Sequence, residues 1–64
     1  MPVITIAMHN TSEEVKKNLI EGLTAAAVAA TSVPQEKFVV FVEEYETDAI
    51  GIGGRTLKAI KAAQ

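Results

Sequence analysis

The chain contains no cysteine and no tryptophan, and its only aromatic residues are two phenylalanines and one tyrosine. Without cysteine, neither disulfide bonds nor thiolate metal sites can stabilise the fold. A chain of 64 residues also has a small core, because it buries only about 60% of its unfolded surface. Since 48% of the residues are nevertheless apolar, we expect one domain over residues 1–64 that associates with copies of itself.

Charged residues and long apolar runs are scarce as well. Charged residues make up 22% of the chain and the formal net charge is −2, so the sequence predicts no basic surface for nucleic acid or anionic membranes. No apolar run reaches the roughly 18 residues of a membrane-spanning helix. The N-terminal residues show no basic segment followed by a long apolar run, so the sequence predicts no signal peptide. We therefore expect a cytoplasmic protein that binds neither nucleic acids nor membranes.

The first half of the chain predicts a strand followed by a helix. Residues 2–8 are rich in β-branched side chains, which favour a strand. The segment Thr11–Glu14 is typical of a capping box, with a hydroxyl at the N-cap and a glutamate three residues later. A helix is predicted from Ser12 to about Ala30, because apolar residues recur there at steps of three and four. These residues are Val15, Leu19, Leu23, Ala26, Ala27 and Ala30.

The second half predicts another strand and a tight turn. Thr31–Pro34 ends the helix, because proline cannot continue it. Phe38–Val42 is a continuous apolar run, which favours a parallel strand buried on both faces. Gly51–Gly54 contains three glycines and indicates a turn or hairpin, and residues 55–64 permit a short helix. The predicted fold class is α/β: a single βαβ unit with a short C-terminal hairpin.

Pro2, directly behind the initiator methionine, is the candidate catalytic residue. Aminopeptidases remove Met1 readily when a small residue follows, which would leave Pro2 with a free secondary amine. At the mouth of an apolar pocket the charged amine would be poorly solvated, so its pKa should fall toward neutrality and suit a general base. The alternative is structural, since proline fits the first position of a strand, where no amide donor is needed.

Several segments share the order and spacing of one known family. They are Met1-Pro2 at the head of a strand, Leu19–Leu23 in the helix, Val33–Lys37, Val42–Glu44 at a strand end, and Gly51–Gly54. Together they resemble the 4-oxalocrotonate tautomerase family from Pro2 to Gly54. The resemblance implies dimers with a four-stranded sheet and helices on one face, and hexamers built as trimers of dimers. It also implies catalysis without metal or cofactor, with Pro2 as the base.

Three departures from the family pattern concern the substrate. The two arginines that bind carboxylates in well-studied members correspond here to Thr11, or to Asn10, and to Val39. The loop before the helix is one residue shorter. The aromatic residue that usually precedes the glycine cluster, and forms part of the apolar wall near the proline, is Ile50 here. A dicarboxylate should therefore bind poorly, because the bidentate arginine contacts are missing.

Two cations are candidate substitutes for the missing arginines. Lys37 lies two residues before Val39 and would share its strand face, and Arg55 directly follows the glycines. Each is more simply explained as an exposed surface charge. His9, the only histidine, is interpreted as a polar loop residue at the pocket rim.

The sequence thus predicts an isomerase that interconverts enol and keto forms of a small 2-oxo or 2-hydroxy-unsaturated acid with one carboxylate or none. The predicted substrate contacts are Lys37, Val39, Ile50 and Thr11. One alternative is a non-catalytic oligomeric scaffold with the same fold. Another keeps the proline but changes the reaction to hydration or dehalogenation of an unsaturated acid.

Overall fold

Two parallel strands joined by one long helix form the main unit of the fold in a computed structural model, which describes residues 1–64. The elements are β1 (Val3–His9), α1 (Glu13–Thr31), β2 (Val39–Tyr45), β3 (Gly51–Ile52), β4 (Arg55–Thr56) and α2 (Leu57–Ala62). Short 3-10 turns at Gln35–Lys37 and Thr47–Ala49 flank β2. The βαβ unit with a C-terminal hairpin predicted from the sequence is confirmed.

The sheet has one face covered by α1 and one face open. The parallel register runs from Val3 opposite Val39 to His9 opposite Tyr45. Along β1 the side chains alternate between half-buried and exposed, because successive residues of a strand point to opposite faces. The half-buried set of β1 is Ile4, Ile6 and Met8, matched on β2 by Val40 and Val42. The open face carries Val3, Thr5, Ala7 and His9 of β1 with Val39, Phe41, Glu43 and Tyr45 of β2.

The start of α1 differs from the prediction by one residue. The N-cap is Ser12, whose hydroxyl accepts a hydrogen bond from the Val15 amide at 3.1 Å. The predicted capping box around Thr11 is wrong, because Glu14 stands one position too early to reach back to a Ser12 cap. The Thr11 amide donates instead to a carboxylate oxygen of Glu44 at 3.0 Å.

The end of α1 is fixed by the segment that the sequence singled out. Ser32 adopts a left-handed conformation with φ of 62° and donates its amide to the carbonyl of Val28. This is the usual way in which a helix ends, although glycine is the commoner residue there. The Thr31 hydroxyl donates to the carbonyl of Ala27 at 2.7 Å.

No helix of the structure combines the length and apolar character needed to span the bilayer.

The glycine cluster forms the predicted hairpin. Gly53 and Gly54 have φ values of 61° and 84°, and two consecutive positive φ angles are typical of the tight turns that join antiparallel strands. After the hairpin, Thr56 caps α2 by accepting the Ala59 amide at 3.1 Å. The Leu57 amide donates to the carbonyl of Ile50 at 2.7 Å. The C-terminal segment therefore packs on its own chain, beside the end of β2.

The single chain has no fully buried residue. Its radius of gyration is 15.0 Å, whereas a compact domain of this length has about 11 Å. Its accessible surface is 4723 Å², against about 4,000 Å² for a compact monomer of this mass. The prediction that the second strand is buried on both faces is wrong for one chain, since Phe41 is 53% exposed. One side of the sheet lacks a packing layer.

Glu44 ties the start of α1 to β2. One of its carboxylate oxygens accepts from the Lys16 ammonium at 2.9 Å, and the other accepts the Thr11 amide. The hydrogen bond from Lys16, and after it the one from Thr11, lowers the pKa of the Glu44 carboxyl below its ordinary value of 4.5. Both contacts favour the charged form, so they stabilise the folded chain while Glu44 is ionised.

Replacing Glu44 by glutamine should lower the thermal unfolding midpoint at neutral pH. Because the folded-state pKa of Glu44 lies below the unfolded value, its stabilisation is complete above the ordinary value of 4.5 and is lost as the pH falls through the folded-state pKa. The difference between parent and Glu44→Gln should therefore shrink in acid. The measurement is thermal unfolding followed by circular dichroism across this pH range, at one protein concentration. Glu46→Gln, an equal charge change at an exposed residue, should have little effect, and an equal loss in both variants would contradict the role of Glu44.

Candidate active site

Pro2 and Val39 lie side by side at the amino ends of the two parallel strands. Pro2 is half-buried, and its carbonyl accepts the Val39 amide at 3.0 Å. Val39 also stands opposite Val3 in the sheet register. In the chain that begins with Met1, the nitrogen of Pro2 is a tertiary amide with no basic lone pair. Met1 is 88% exposed, so the bond between it and Pro2 is open to a peptidase.

Lys37 also lies at this end of the sheet, in a different setting from the one predicted. It is the last residue of the 3-10 turn Gln35–Lys37 and is exposed, while β2 begins only at Val39. Strand alternation therefore does not reach Lys37, and that reason for placing its side chain on the face of Val39 is wrong. Lys37 still contributes a cation at the amino edge of the sheet.

Thr11 and Ile50 lie at the opposite end of the sheet. Thr11 follows β1, and Ile50 follows the 3-10 turn after β2. Because β1 has seven residues, this end is about 20 Å from Pro2, at roughly 3.3 Å per residue. Of the five residues predicted for the site, the chain brings Pro2, Val39 and Lys37 to one end and Thr11 and Ile50 to the other. One chain alone does not assemble the predicted site.

An apolar cavity of about 450 Å³ occupies the end that holds Ile50. This volume is within the range of about 300–1,000 Å³ found for small-molecule sites. It forms where the carboxyl ends of β1 and β2 meet the hairpin and α2. The lining residues are Ala7, Met8, His9, Tyr45, Ala49, Ile50 and Leu57.

His9 is the one lining residue that is not hydrophobic. Its Nδ1 lies 2.9 Å from the carbonyl oxygen of Asn10, and it stands opposite Tyr45 in the sheet register. The Tyr45 hydroxyl donates to Glu43 at the long distance of 3.5 Å. Sequence reasoning placed His9 at a rim but assigned it no chemistry. The available signal was a lone imidazole at the carboxyl end of a strand in a parallel sheet, where ligands commonly bind.

The structure supplies no arginine pair for a dicarboxylate. Thr11 and Val39, at the two expected positions, carry no charge. The only arginine of the chain is Arg55, which is exposed in β4 opposite Ile52. No group of three or more histidine, cysteine, aspartate or glutamate side chains is arranged to hold a metal ion. Among the residues predicted for the site and those lining the cavity, the basic groups are Lys37, His9 and, once Met1 is removed, the nitrogen of Pro2.

Comparisons with known proteins agree with this fold. The family model described as tautomerase enzyme matches residues 2–60. A 2-hydroxymuconate tautomerase from Bacillus subtilis is 38% identical over 58 residues, covering 89% of this chain and 94% of that protein. The crystal structure of TomN, a 4-oxalocrotonate tautomerase homologue in the tomaymycin biosynthetic pathway, superposes with a TM-score of 0.92 at 32% identity, over 95% of each chain.

A further solved relative shows that such chains assemble into oligomers. It is a heterohexamer 4-oxalocrotonate tautomerase from Chloroflexus aurantiacus, with a TM-score of 0.86 and 30% identity over 91% of this chain and 95% of that one. The family model extends over nearly the whole chain and includes Pro2. The βαβ unit, the glycine hairpin and the family match lead to one conclusion: this chain belongs to the 4-oxalocrotonate tautomerase family of isomerases.

Proposed function

We propose that this protein, once Met1 is removed, is a cytoplasmic, cofactor-independent tautomerase that uses Pro2 as its general base. The substrate class is a small 2-oxo or 2-hydroxy-unsaturated acid. The observation that carries the proposal is Pro2 itself, held half-buried at the head of β1 by its bond to Val39. A secondary amine fixed in this way can transfer a proton to or from the reacting carbon of an enol or keto acid.

The second half of the site comes from another copy of the chain. The sheet order leaves one edge of β1 without a strand partner. Edge strands that avoid pairing usually carry charges, yet His9 is the only ionisable residue of β1, whereas β2 contains Glu43 and Glu44. Antiparallel pairing of β1 with the partner's β1 therefore gives a four-stranded sheet with both helices on one face.

This pairing brings Pro2 to the apolar cavity. If all seven residues of β1 take part in a symmetric pair, Ile6 lies opposite the partner's Ile6, and Val3 lies opposite the partner's His9. Pro2 then stands at the mouth of the partner's cavity, which Ile50 helps to line. An apolar wall there disfavours the charged form of the amine and lowers the pKa of Pro2 toward neutrality.

The neutral residues at the expected arginine positions restrict the substrate. Thr11 and Val39 offer no charge to a carboxylate, so a substrate with one carboxylate or none fits better than a dicarboxylate. Lys37, at the edge beside Val39, is the cation available for a single carboxylate. Val39 and Ile50 then contact the apolar part of the substrate, and Thr11 borders it through the loop that Glu44 holds.

The open face of the sheet supports a larger assembly. Its most exposed apolar side chains are Val3 and Phe41, each 53% exposed, and Tyr45, 44% exposed. Contiguous apolar surface of this kind is rare on monomers. Packing three dimers through this face covers it and gives a hexamer.

Pro2→Ala should lower kcat for the ketonisation of simple enol-pyruvate compounds by about 10²-fold or more, the usual contribution of a positioned general base. The assay is ultraviolet absorbance on protein whose loss of Met1 is verified by intact mass. As a control, chains that retain Met1 should be inactive, so the rate should scale with the processed fraction. Equal rates for Pro2→Ala and its parent would remove Pro2 from the mechanism. No turnover by the fully processed parent would favour the scaffold alternative.

Phe41→Glu should produce a smaller assembly than the parent. Covering a phenylalanine side chain contributes about 1.5–3 kcal/mol, and a carboxylate in the same place would be desolvated without a partner. Sedimentation velocity at matched concentrations measures the change. Ala25→Glu, which adds the same charge at an exposed position of α1, should leave the assembly intact. An unchanged Phe41→Glu assembly would show that this face stays open.

A further inference from the structure

The tautomer of the neutral His9 ring follows from one hydrogen bond. Its Nδ1 lies 2.9 Å from the carbonyl oxygen of Asn10, and a carbonyl only accepts hydrogen bonds. Nδ1 therefore carries the proton, so Nε2 of the neutral ring has a free lone pair. His9 lines the cavity and presents an imidazole base there.

Few other groups at the cavity can take a proton. The remaining lining residues are hydrophobic apart from the hydroxyl of Tyr45, and that hydroxyl faces Glu43. Glu43 stands opposite Ala7 but does not line the cavity. Glu44, the next carboxylate, lies on the other face and is engaged by Lys16. The imidazole is thus the polar group best placed to meet a ligand in this cavity.

We infer that His9 is a second catalytic residue, acting on the substrate bound at the partner's Pro2. This inference rests on the proposed function and on the pairing of β1 described above. In that pairing His9 lies opposite the partner's Val3, on the same face, one residue from the partner's Pro2. A substrate between the two groups has an amine at one side and an imidazole at the other.

The proton transfers balance without any other reactant. Pro2 is the general base when the enol forms, so in the ketonising direction the protonated Pro2 nitrogen delivers a proton to the enol carbon, and the electron pair of the C=C bond forms the new C–H bond. The Nε2 atom takes the proton of the enol hydroxyl, and the electron pair of the O–H bond forms the C=O bond. Pro2 ends neutral and His9 ends protonated, and exchange with solvent resets both. His9 thus removes the hydroxyl proton as positive charge develops on the enol oxygen.

His9→Asn is the most conservative test. The asparagine amide retains a donor near the position of Nδ1 but has no base at the position of Nε2. We expect kcat for an enol-pyruvate to fall by about 10²-fold, with KM changed by less than about threefold, because the interaction is made in the transition state. Parent-like kcat in His9→Asn, with Pro2→Ala inactive, would overturn the inference and leave the proposed function intact.

Chemical rescue separates catalysis from structure. His9→Ala leaves a space at the cavity rim, and added imidazole should restore part of its rate with saturation. Imidazole should not restore the rate of Pro2→Ala, because that variant lacks the Pro2 amine on the other side of the substrate and retains His9. Failure of imidazole to raise the rate of a folded His9→Ala protein would count against a proton-transfer role.

Mixing the two variants tests whether each site combines Pro2 of one chain with His9 of its partner. A mixed pair of Pro2→Ala and His9→Ala chains contains one site with both groups intact and one site with neither. Unfolding and refolding the variants together in equal amounts should restore about a quarter of the parent rate, since half of randomly formed symmetric pairs are mixed. No recovery would show that His9 does not serve the partner's Pro2. Equal rates for Pro2→Ala and the parent would instead sink the proposed function.

Discussion

The parallel pairing of β1 with β2 is the constraint on which the rest of the structure depends. It begins with the bond from the Val39 amide to the Pro2 carbonyl and continues through the register from Val3 to His9. That first bond holds the backbone of Pro2 in place, so the amine that removal of Met1 would expose has a fixed position. The last pair of the register sets His9 beside Tyr45 at the cavity. One ladder of hydrogen bonds therefore positions the groups at both ends of the sheet.

The same ladder leaves the sheet unfinished in two directions. One edge of β1 has no strand beside it, and one face has no layer over it, with Phe41 among its exposed side chains. A small chain without disulfides has little core of its own, and in the proposed assembly the burial of this surface between copies would supply the missing stability. Folding, assembly and construction of the site then draw on one set of interactions. This explains how so short a chain can support an enzyme.

The sequence allowed much of the fold to be predicted, because its signals are local. The strand at residues 2–8, the stop at Thr31–Pro34 and the hairpin at Gly51–Gly54 each follow from side-chain chemistry within a few residues. The predicted cap at Thr11 was wrong because its amide is taken by Glu44, a contact across 33 positions. The predicted burial of Phe41 is wrong for the single chain, where this residue is 53% exposed, because an apolar run does not reveal which layer covers it.

The site was less accessible to sequence reasoning. Pro2 was found from its position behind Met1, and Val39, Thr11 and Ile50 came from the family pattern. That pattern does not show that these residues lie at two ends of a strand about 20 Å long. A role for His9 does not follow from the sequence, since its tautomer depends on the carbonyl of Asn10 and its cavity depends on the packing of α2. Residue type and spacing thus predict which residues could serve the site, whereas their separation along the strand and the role of His9 depend on long-range geometry.

The exposure of Met1 bears on whether this residue is removed before or after the chains associate. In the isolated chain this residue is 88% exposed to solvent, so an aminopeptidase has access to it. In the proposed pair it would lie beside the partner's apolar cavity, where an aminopeptidase could not reach it. Trimming would then have to come before association, and a chain that missed it would enter the assembly permanently blocked.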